Sequence, residues 1–380
     1  MYKFSFSLFL VFISSLPLFA GQNGNGFSKK KISRQVNKAI EWQVNKPWVG
    51  QSRWNENKRY DWVEGTFYAG LAEYYKYAKI PAHLDELQKV AASCNWEPRG
   101  RPYDANEYVM IQAYSDLYEV TNDYKYIDKS VFMANMPLIK YLDIDMRFDG
   151  NPYWQTNWTW CDALFMAPPT YARLGKVLDK KEYFDFMDKN WWATSDYLYS
   201  PQDSLYYRDD TFFPEKQRSE SGHKVFWSRG NGWVMGGLCR VLDYLPEDYP
   251  SRKKYEQQFI EMAHRLLTLQ TEEGFWPTSL LDYDQFNSKE SSGTAFYCYA
   301  YAWGINQGLL DKETFLPAVR KSWTMLENCL HKNGKFGYVQ QIGDQPGNAQ
   351  FEDEQSYGVG AFVLAGTELM RMIDTGNDSL

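Results

Sequence analysis

Ala295-Phe-Tyr-Cys-Tyr-Ala-Tyr-Ala-Trp303 is apolar or aromatic at every position. A surface helix shows apolar residues every three to four positions and a half-buried strand every two. This run has no side to give to water, so it reads as a helix buried all round. Comparable small-residue and aromatic starts recur near Gly65, Asn106, Asp162, Gly230, Gly293 and Gly358. Roughly 40 to 70 residues separate successive starts, room for one helical hairpin in each interval. Between them, Tyr126 to Leu142, Lys180 to Tyr199, Arg252 to Thr271 and Lys312 to Leu330 carry apolar residues on one helical face and charges on the other. A further helix is expected from Ile32 to about Lys46-Pro47, and Ser204-Leu-Tyr-Tyr-Arg208 reads as a hairpin excursion in a loop. Six buried helices alternating with amphipathic partners predict an all-α (α/α)6 barrel whose functional loops sit at the N-termini of the inner helices.

The chain opens with Met-Tyr-Lys, a mostly apolar run from Phe4 to Phe19, and Ala20-Gly21. One positive charge, a short apolar stretch and a small residue at the break describe a secretory signal peptide. The expectation is therefore a signal peptide over residues 1–20, one catalytic domain over 21–380, and a periplasmic or secreted mature protein. A net charge of -7 offers no basic footprint for nucleic acid or an anionic membrane. The five cysteines have no CxxC spacing, which argues against a disulfide framework and against zinc, and the four histidines form no metal-ligand pattern. Aromatics make up 18% of the chain, more than a core needs and typical of sites that stack on sugar rings.

In Trp154-Gln-Thr-Asn-Trp-Thr-Trp-Cys-Asp-Ala-Leu-Phe-Met166 a carboxylate, Asp162, stands where an aromatic loop turns into an apolar helix. Indole walls strip hydration from the charged form, so the group would hold a proton near neutral pH and could deliver it. The alternative is a helix N-cap, a role for which Asp is favoured in any protein. Arg229 lies four residues before Trp233, so on a helix the two share a face. A guanidinium fork matches a carboxylate and an indole stacks on a ring, which suits an acidic sugar. The alternative is an arginine paired with a structural carboxylate. The remaining polar residues at the expected mouth are Asn55, Glu56, Asp61, Asp104, Asn106, Glu107, Trp160, Arg208, His223, Lys224, Glu290, Ser291, Ser292, Thr294, Glu352, Glu354 and Tyr357. Gly230-Asn-Gly232 lacks the Lys-Ser/Thr of a phosphate loop, so a nucleotide site is not indicated.

Five motifs in this order carry a family likeness: Arg101-Pro-Tyr-Asp-Ala-Asn-Glu107, Trp160-Cys-Asp-Ala-Leu-Phe-Met166, Phe226-Trp-Ser-Arg-Gly-Asn-Gly-Trp233, Glu290-Ser-Ser-Gly-Thr-Ala295 and Tyr357-Gly-Val-Gly-Ala361. The chain resembles glycoside hydrolase family 105, the unsaturated rhamnogalacturonyl hydrolases, with kinship to the unsaturated glucuronyl hydrolases of family 88. The resemblance implies a hydrolase that removes the terminal 4,5-unsaturated uronic acid from oligosaccharides left by polysaccharide lyases, of rhamnogalacturonan (pectin) type or related. It also implies a mechanism by hydration of the C4=C5 enol ether, with Asp162 as proton donor and no catalytic cofactor or metal. Asn106, Glu107, Trp160, Arg208, Arg229 and Trp233 would bind substrate. Relatives carry an Asp around Asn106 or Glu107, so either position could supply the second polar group, and Arg208 stands near where relatives place a His. The alternatives are a conventional inverting glycosidase, a sugar epimerase, which would be expected to use paired histidines, and a non-catalytic carbohydrate-binding toroid. Oligomeric state is left open.

Overall fold

The computed structural model describes residues 27–46, 61–142 and 145–379. The leader, Asn55 and Glu56 lie outside the described residues. Apart from the two-stranded ribbon of β1 (Tyr199–Ser200) and β2 (Leu205–Tyr206), the regular structure is helical.

The inner helices are α2 (Trp62–Ala78), α4 (Val109–Thr121), the pair α6 (Ala163–Met166) and α7 (Pro168–Leu178), α9 (Ser228–Leu242), α11 (Ser291–Asn306) and α13 (Ser356–Asp374). Each packs on the next in chain order, and α13 packs back on α2, so the ring closes. The outer helices are α1 (Lys29–Asn45), α3 (Pro81–Ser93), α5 (Asp128–Ile139), α8 (Lys181–Leu198), α10 (Arg252–Leu267) and α12 (Lys312–Asn328). Among them α1 leans on α13, α3 on α2, α8 on α7, α10 on α9 and α12 on α11. This is the (α/α)6 barrel that the sequence predicts.

The helix positions follow from composition. Every residue of α11 from Ser291 to Ile305 is buried, as an inner helix without a polar face must be. α12 buries only Phe315, Leu316, Ala318, Val319, Ser322, Trp323, Met325 and Leu326, the single stripe of an outer helix. The third inner element is broken after Met166 because Pro168 and Pro169 supply no backbone N–H to continue it. The ring closes tightly where Gly70 on α2 meets Gly360 on α13. A Cβ at Gly70 would lie 2.6 Å from the Gly360 carbonyl oxygen.

Polar contacts define the two ends. At one, Ser356 at the start of α13 donates to Glu64 at the start of α2 and accepts from Gln43 at the end of α1. At the other, the C-terminal halves of the inner helices share a buried charge network. Arg371 Nη2 donates to Glu73 Oε1 at 2.6 Å, and Arg173 Nε reaches Asp116 Oδ1 at 3.3 Å. Lys76 lies between Asp116 and Glu119. The inner helices are therefore parallel, with all their N-termini at one mouth. The five cysteines are buried free thiols.

Candidate active site

Carboxylates at the inner-helix starts divide by what they are used for. Asp61 accepts from the N–H groups of Val63 and Glu64, Asp104 from that of Asn106, and Glu290 from those of Ser292 and Gly293. These are caps, and their lone pairs are spent on orphan helix donors. Asp162 stands at the equivalent place before α6, yet its side chain makes no cap hydrogen bond. Its carboxyl lies 3.6 Å from Arg208 Nε through Oδ2 and accepts from Cys161 Sγ, 3.7 Å from the same oxygen. The capping alternative is thus not what the fold uses. Burial pushes the Asp162 carboxyl above the usual carboxylate range, opposed by the positive charges of Arg208 and Arg229. Residue Asp162 keeps 8% of its surface exposed.

The wall beside it is aromatic. Trp160 meets Trp154 edge to face at 5.2 Å, Trp154 packs on Phe148 at 4.5 Å, and the Arg208 guanidinium lies over the Phe148 ring at 4.7 Å. Arg208 Nη1 is paired with Asp209 Oδ2 at 2.6 Å.

Arg229 sits in the first turn of α9, 1% exposed, between the rings of Trp227 and Tyr357. Its Nη1 donates to the Gln340 carbonyl at 2.8 Å and its Nη2 to the Gln341 carbonyl at 3.0 Å. The partners are carbonyls, not the structural carboxylate weighed in the sequence. Among the described residues no acid pairs with this guanidinium in a salt bridge, and its Nε is buried without a hydrogen bond. Trp233 follows one turn deeper, 1% exposed, in a cluster with Phe165 at 4.9 Å and Phe296 at 4.5 Å.

Glu107 is buried and held by two cations: Arg101 Nε donates to its Oε1 at 3.0 Å, and Arg99 Nε lies 3.4 Å from its Oε2. Burial raises its proton affinity while Arg99 and Arg101 lower it. Arg101 also reaches Asp104 at 2.9 Å and Gln155 at 3.3 Å, which ties this loop to the Trp154 turn. Asn106 is half-buried beside it, its backbone held by Asp104.

Other polar residues of the expected mouth have structural partners. Lys224 pairs with Asp203, Glu352 with Lys335 and Glu354 with Lys46. Ser291 donates to the Gly337 carbonyl, Thr294 to that of Glu290, and His223 is exposed. Phe148, Asp209, Gln340 and Gln341 are neighbours that the sequence reading did not single out. The acid after Arg208 was the one visible signal among them. Among the described residues no group of three or more His, Cys, Asp or Glu is disposed to hold a metal ion.

Residues 32–373 match Glycosyl Hydrolase Family 88. The chain is 36% identical over 373 residues to the unsaturated 3S-rhamnoglycuronyl hydrolase of Formosa agariphila, an alignment covering 94% of each protein. A glycosyl hydrolase family 88 structure from Bacteroides vulgatus is similar with a TM-score of 0.80 and 26% identity, over 91% of this chain and 99% of that one. A structure described as a polysaccharide lyase gives a TM-score of 0.80 at 29% identity, over 92% of this chain and 99% of that one. The chain belongs to Glycosyl Hydrolase Family 88 and is a glycoside hydrolase of the unsaturated-uronyl type.

Proposed function

We propose that the substrate is a lyase-generated oligosaccharide whose terminal 4,5-unsaturated uronate is linked to a 3-sulfated rhamnose, and that Asp162 is the proton donor that removes the uronate. The observation that carries the role of Asp162 is a helix-start carboxyl that caps no helix, unlike Asp61, Asp104 and Glu290, and faces Arg208 instead. The substrate reading is supported by the Formosa agariphila relative, whose 3S-rhamnose we read as sulfated on O3, and by the half-exposed Arg101 at the mouth.

The C4=C5 bond is an enol ether conjugated with the uronate carboxylate. The Asp162 O–H bond breaks as a C4–H bond forms from the alkene π pair, and the cation left at C5 is stabilised by the ring oxygen. Water adds to C5 and returns its proton to the Asp162 carboxylate, which has become the base. The hemiketal opens, and the anomeric carbon collapses to an aldehyde as the hydroxyl of the next sugar leaves. No displacement takes place at the anomeric carbon, so the carboxylate spacing of ordinary glycosidases does not govern the reaction. In this reading Arg229, which no acid pairs in a salt bridge among the described residues, binds the uronate carboxylate, while Glu107 is locked by Arg99 and Arg101.

We further propose that the mature protein works outside the cytoplasm, a reading supported by the sequence pattern of residues 1–20 and testable by mass spectrometry of the exported protein.

The deciding experiment is a panel of unsaturated disaccharides, with sulfated rhamnose, unsulfated rhamnose or another sugar beside the uronate, followed by ultraviolet absorbance of the conjugated bond. Loss of absorbance fastest with the sulfated rhamnose is the expected result. Cleavage of saturated ends at equal rate would indicate a conventional glycosidase, and a gain of absorbance on intact polymer a lyase.

A further inference from the structure

Arg208 is held more firmly than a residue that only meets substrate needs to be. Its carbonyl accepts from the Cys161 N–H at 2.8 Å, which fixes the segment after β2 against the loop that carries Asp162. Its Nη1 is fastened to Asp209, whose other carboxylate oxygen accepts from the Thr211 N–H at 2.9 Å and from the Thr211 hydroxyl. From above, the Phe148 ring covers the guanidinium, and the Phe148 and Asp149 N–H groups are pinned in turn by Asp210 Oδ1 at 3.0 and 3.1 Å. Residues 208–211 therefore hold the guanidinium from two sides. The Nε–H is left over, buried without a hydrogen bond, 3.6 Å from Asp162 Oδ2.

We propose that Arg208, clamped by Asp209 and Phe148, is a positioning residue for the hydration step, setting both when Asp162 carries its proton and how readily it gives it up. The inference rests on the reading of Asp162 as the proton donor. An alkene carbon is a weak base, so a useful donor has to be a strong acid that is nevertheless protonated at the working pH. Burial alone makes a carboxyl hold its proton but makes it a poor donor. A guanidinium beside it stabilises the carboxylate that remains after transfer, and the 3.6 Å gap can close to a charge-assisted hydrogen bond as that charge develops. Among the described residues the charged and titratable groups facing Asp162 are Arg208, with Asp209 behind it, Arg229 from α9, and the neighbouring Cys161 thiol. Of the two cations, Arg208 is the one in contact.

The test is the pH dependence of kcat and kcat/KM for loss of ultraviolet absorbance in the wild type, Arg208→Gln, Arg208→Lys and Asp209→Asn. Removing the positive neighbour raises the proton affinity of Asp162. In Arg208→Gln the basic limb of kcat/KM should move up by roughly one pH unit, the low end of the effect of an adjacent guanidinium, while kcat on the plateau falls several-fold. Arg208→Lys keeps the charge and should hold the limb near its wild-type position. Asp209→Asn strips Arg208 of its counter-ion and should move the limb down. An Arg208→Gln enzyme slower at every pH with an unmoved limb overturns the proposal, as does an Arg208→Lys limb displaced as far as that of Arg208→Gln. Should Arg208→Gln not fold by circular dichroism, Asp209→Asn decides alone: an unmoved or raised limb overturns the proposal. A wild type that consumes no unsaturated end sinks the functional reading itself, an outcome distinct from all of these.

Discussion

Arg229 Nη1 donates to the Gln340 carbonyl at 2.8 Å, and Tyr357 Oη donates to that same oxygen. One carbonyl thus joins the start of α9, the 340–341 loop and the start of α13, and it holds the guanidinium in a fixed plane. Lysine cannot span both the Gln340 and Gln341 carbonyls or fill the slot between Trp227 and Tyr357. With the uronate held by this charge, Arg229→Lys loses one charge-assisted hydrogen bond, about 1.5–3 kcal/mol. Steady-state kinetics should show KM raised about 10- to 100-fold with a smaller change in kcat. A variant with unchanged KM would remove Arg229 from substrate binding.

Asp162→Asn should separate catalysis from stability. The amide cannot deliver a carboxylic proton, and positioned acid–base catalysis is worth roughly 10²–10⁴-fold, so kcat should fall by that factor. The fold should not suffer. A buried carboxyl with raised proton affinity destabilises the folded state at every pH above its unfolded value, and increasingly so up to its folded value. Near neutral pH the variant should therefore melt at the same or a higher temperature in a calorimetric scan. A lowered melting temperature would mean that the side chain has a structural duty absent from its contacts.

Glu290→Ala is the counterpart. This acid caps α11 through Ser292 and Gly293 and also accepts from the Gln340 N–H at 3.2 Å. Loss of a cap costs about 0.5–2 kcal/mol, and the stranded buried donors add about 1–3 kcal/mol. Urea unfolding should register that loss. Full stability in the variant would contradict the capping role.

The contrast between Asp162 and Glu290 marks how far the sequence could be read. Both precede a buried helix, and both satisfy the same local pattern, so only three-dimensional partners separate donor from cap. The barrel itself was legible because burial on all sides leaves a signature within one helix, as in Ala295 to Trp303, without knowledge of any distant residue. The site depended on distant residues. Nothing near Arg229 in sequence points to carbonyls 111 and 112 residues away. The lock on Glu107 runs through an irregular loop from Arg99 and Arg101, where no helical register predicts contact. The two-proline break after Met166 was in plain view, but its effect was to start α7 afresh beneath Asp162.

Glu73 sits in the charge network at the C-terminal ends of the inner helices. Burial would raise its proton affinity, but Lys76, Arg371, Arg240 and Arg173 outweigh it and hold the carboxyl well below the ordinary range. A carboxylate depressed in this way contributes stability that is fully present above its unfolded value of about 4.5 and is lost as pH falls toward its folded value. Glu73→Gln removes one carboxylate from a network in which Arg371 keeps Glu368, Lys76 keeps Asp116 and Glu119, and Arg173 keeps Asp116. It should therefore lower stability near neutral pH by less than about 3–5 kcal/mol, the cost of a fully broken buried pair. Its stability should also decline less steeply than that of the wild type between pH 5 and pH 3, a range set by the ordinary carboxylate value. Parallel acid profiles for the two proteins would show that the network does not depend on this charge.

The last prediction concerns ring closure. A Cβ added at Gly360 would lie 2.5 Å from the Thr66 carbonyl oxygen, the reciprocal of the Gly70 contact across the same seam. The obstructing atoms are backbone, which cannot rotate aside as a side-chain tip would. Gly360→Ala must therefore push α13 away from α2, and forced overpacking of this kind costs about 1–3 kcal/mol. The higher helix propensity of alanine returns at most about 1 kcal/mol, so the net effect is a loss. The urea midpoint should fall for Gly70→Ala and Gly360→Ala. The double variant should depart from the sum of the two, because the residues share one contact and one displacement of the helices relieves both clashes. Additive losses would mean that each glycine is needed for a local reason unrelated to the seam.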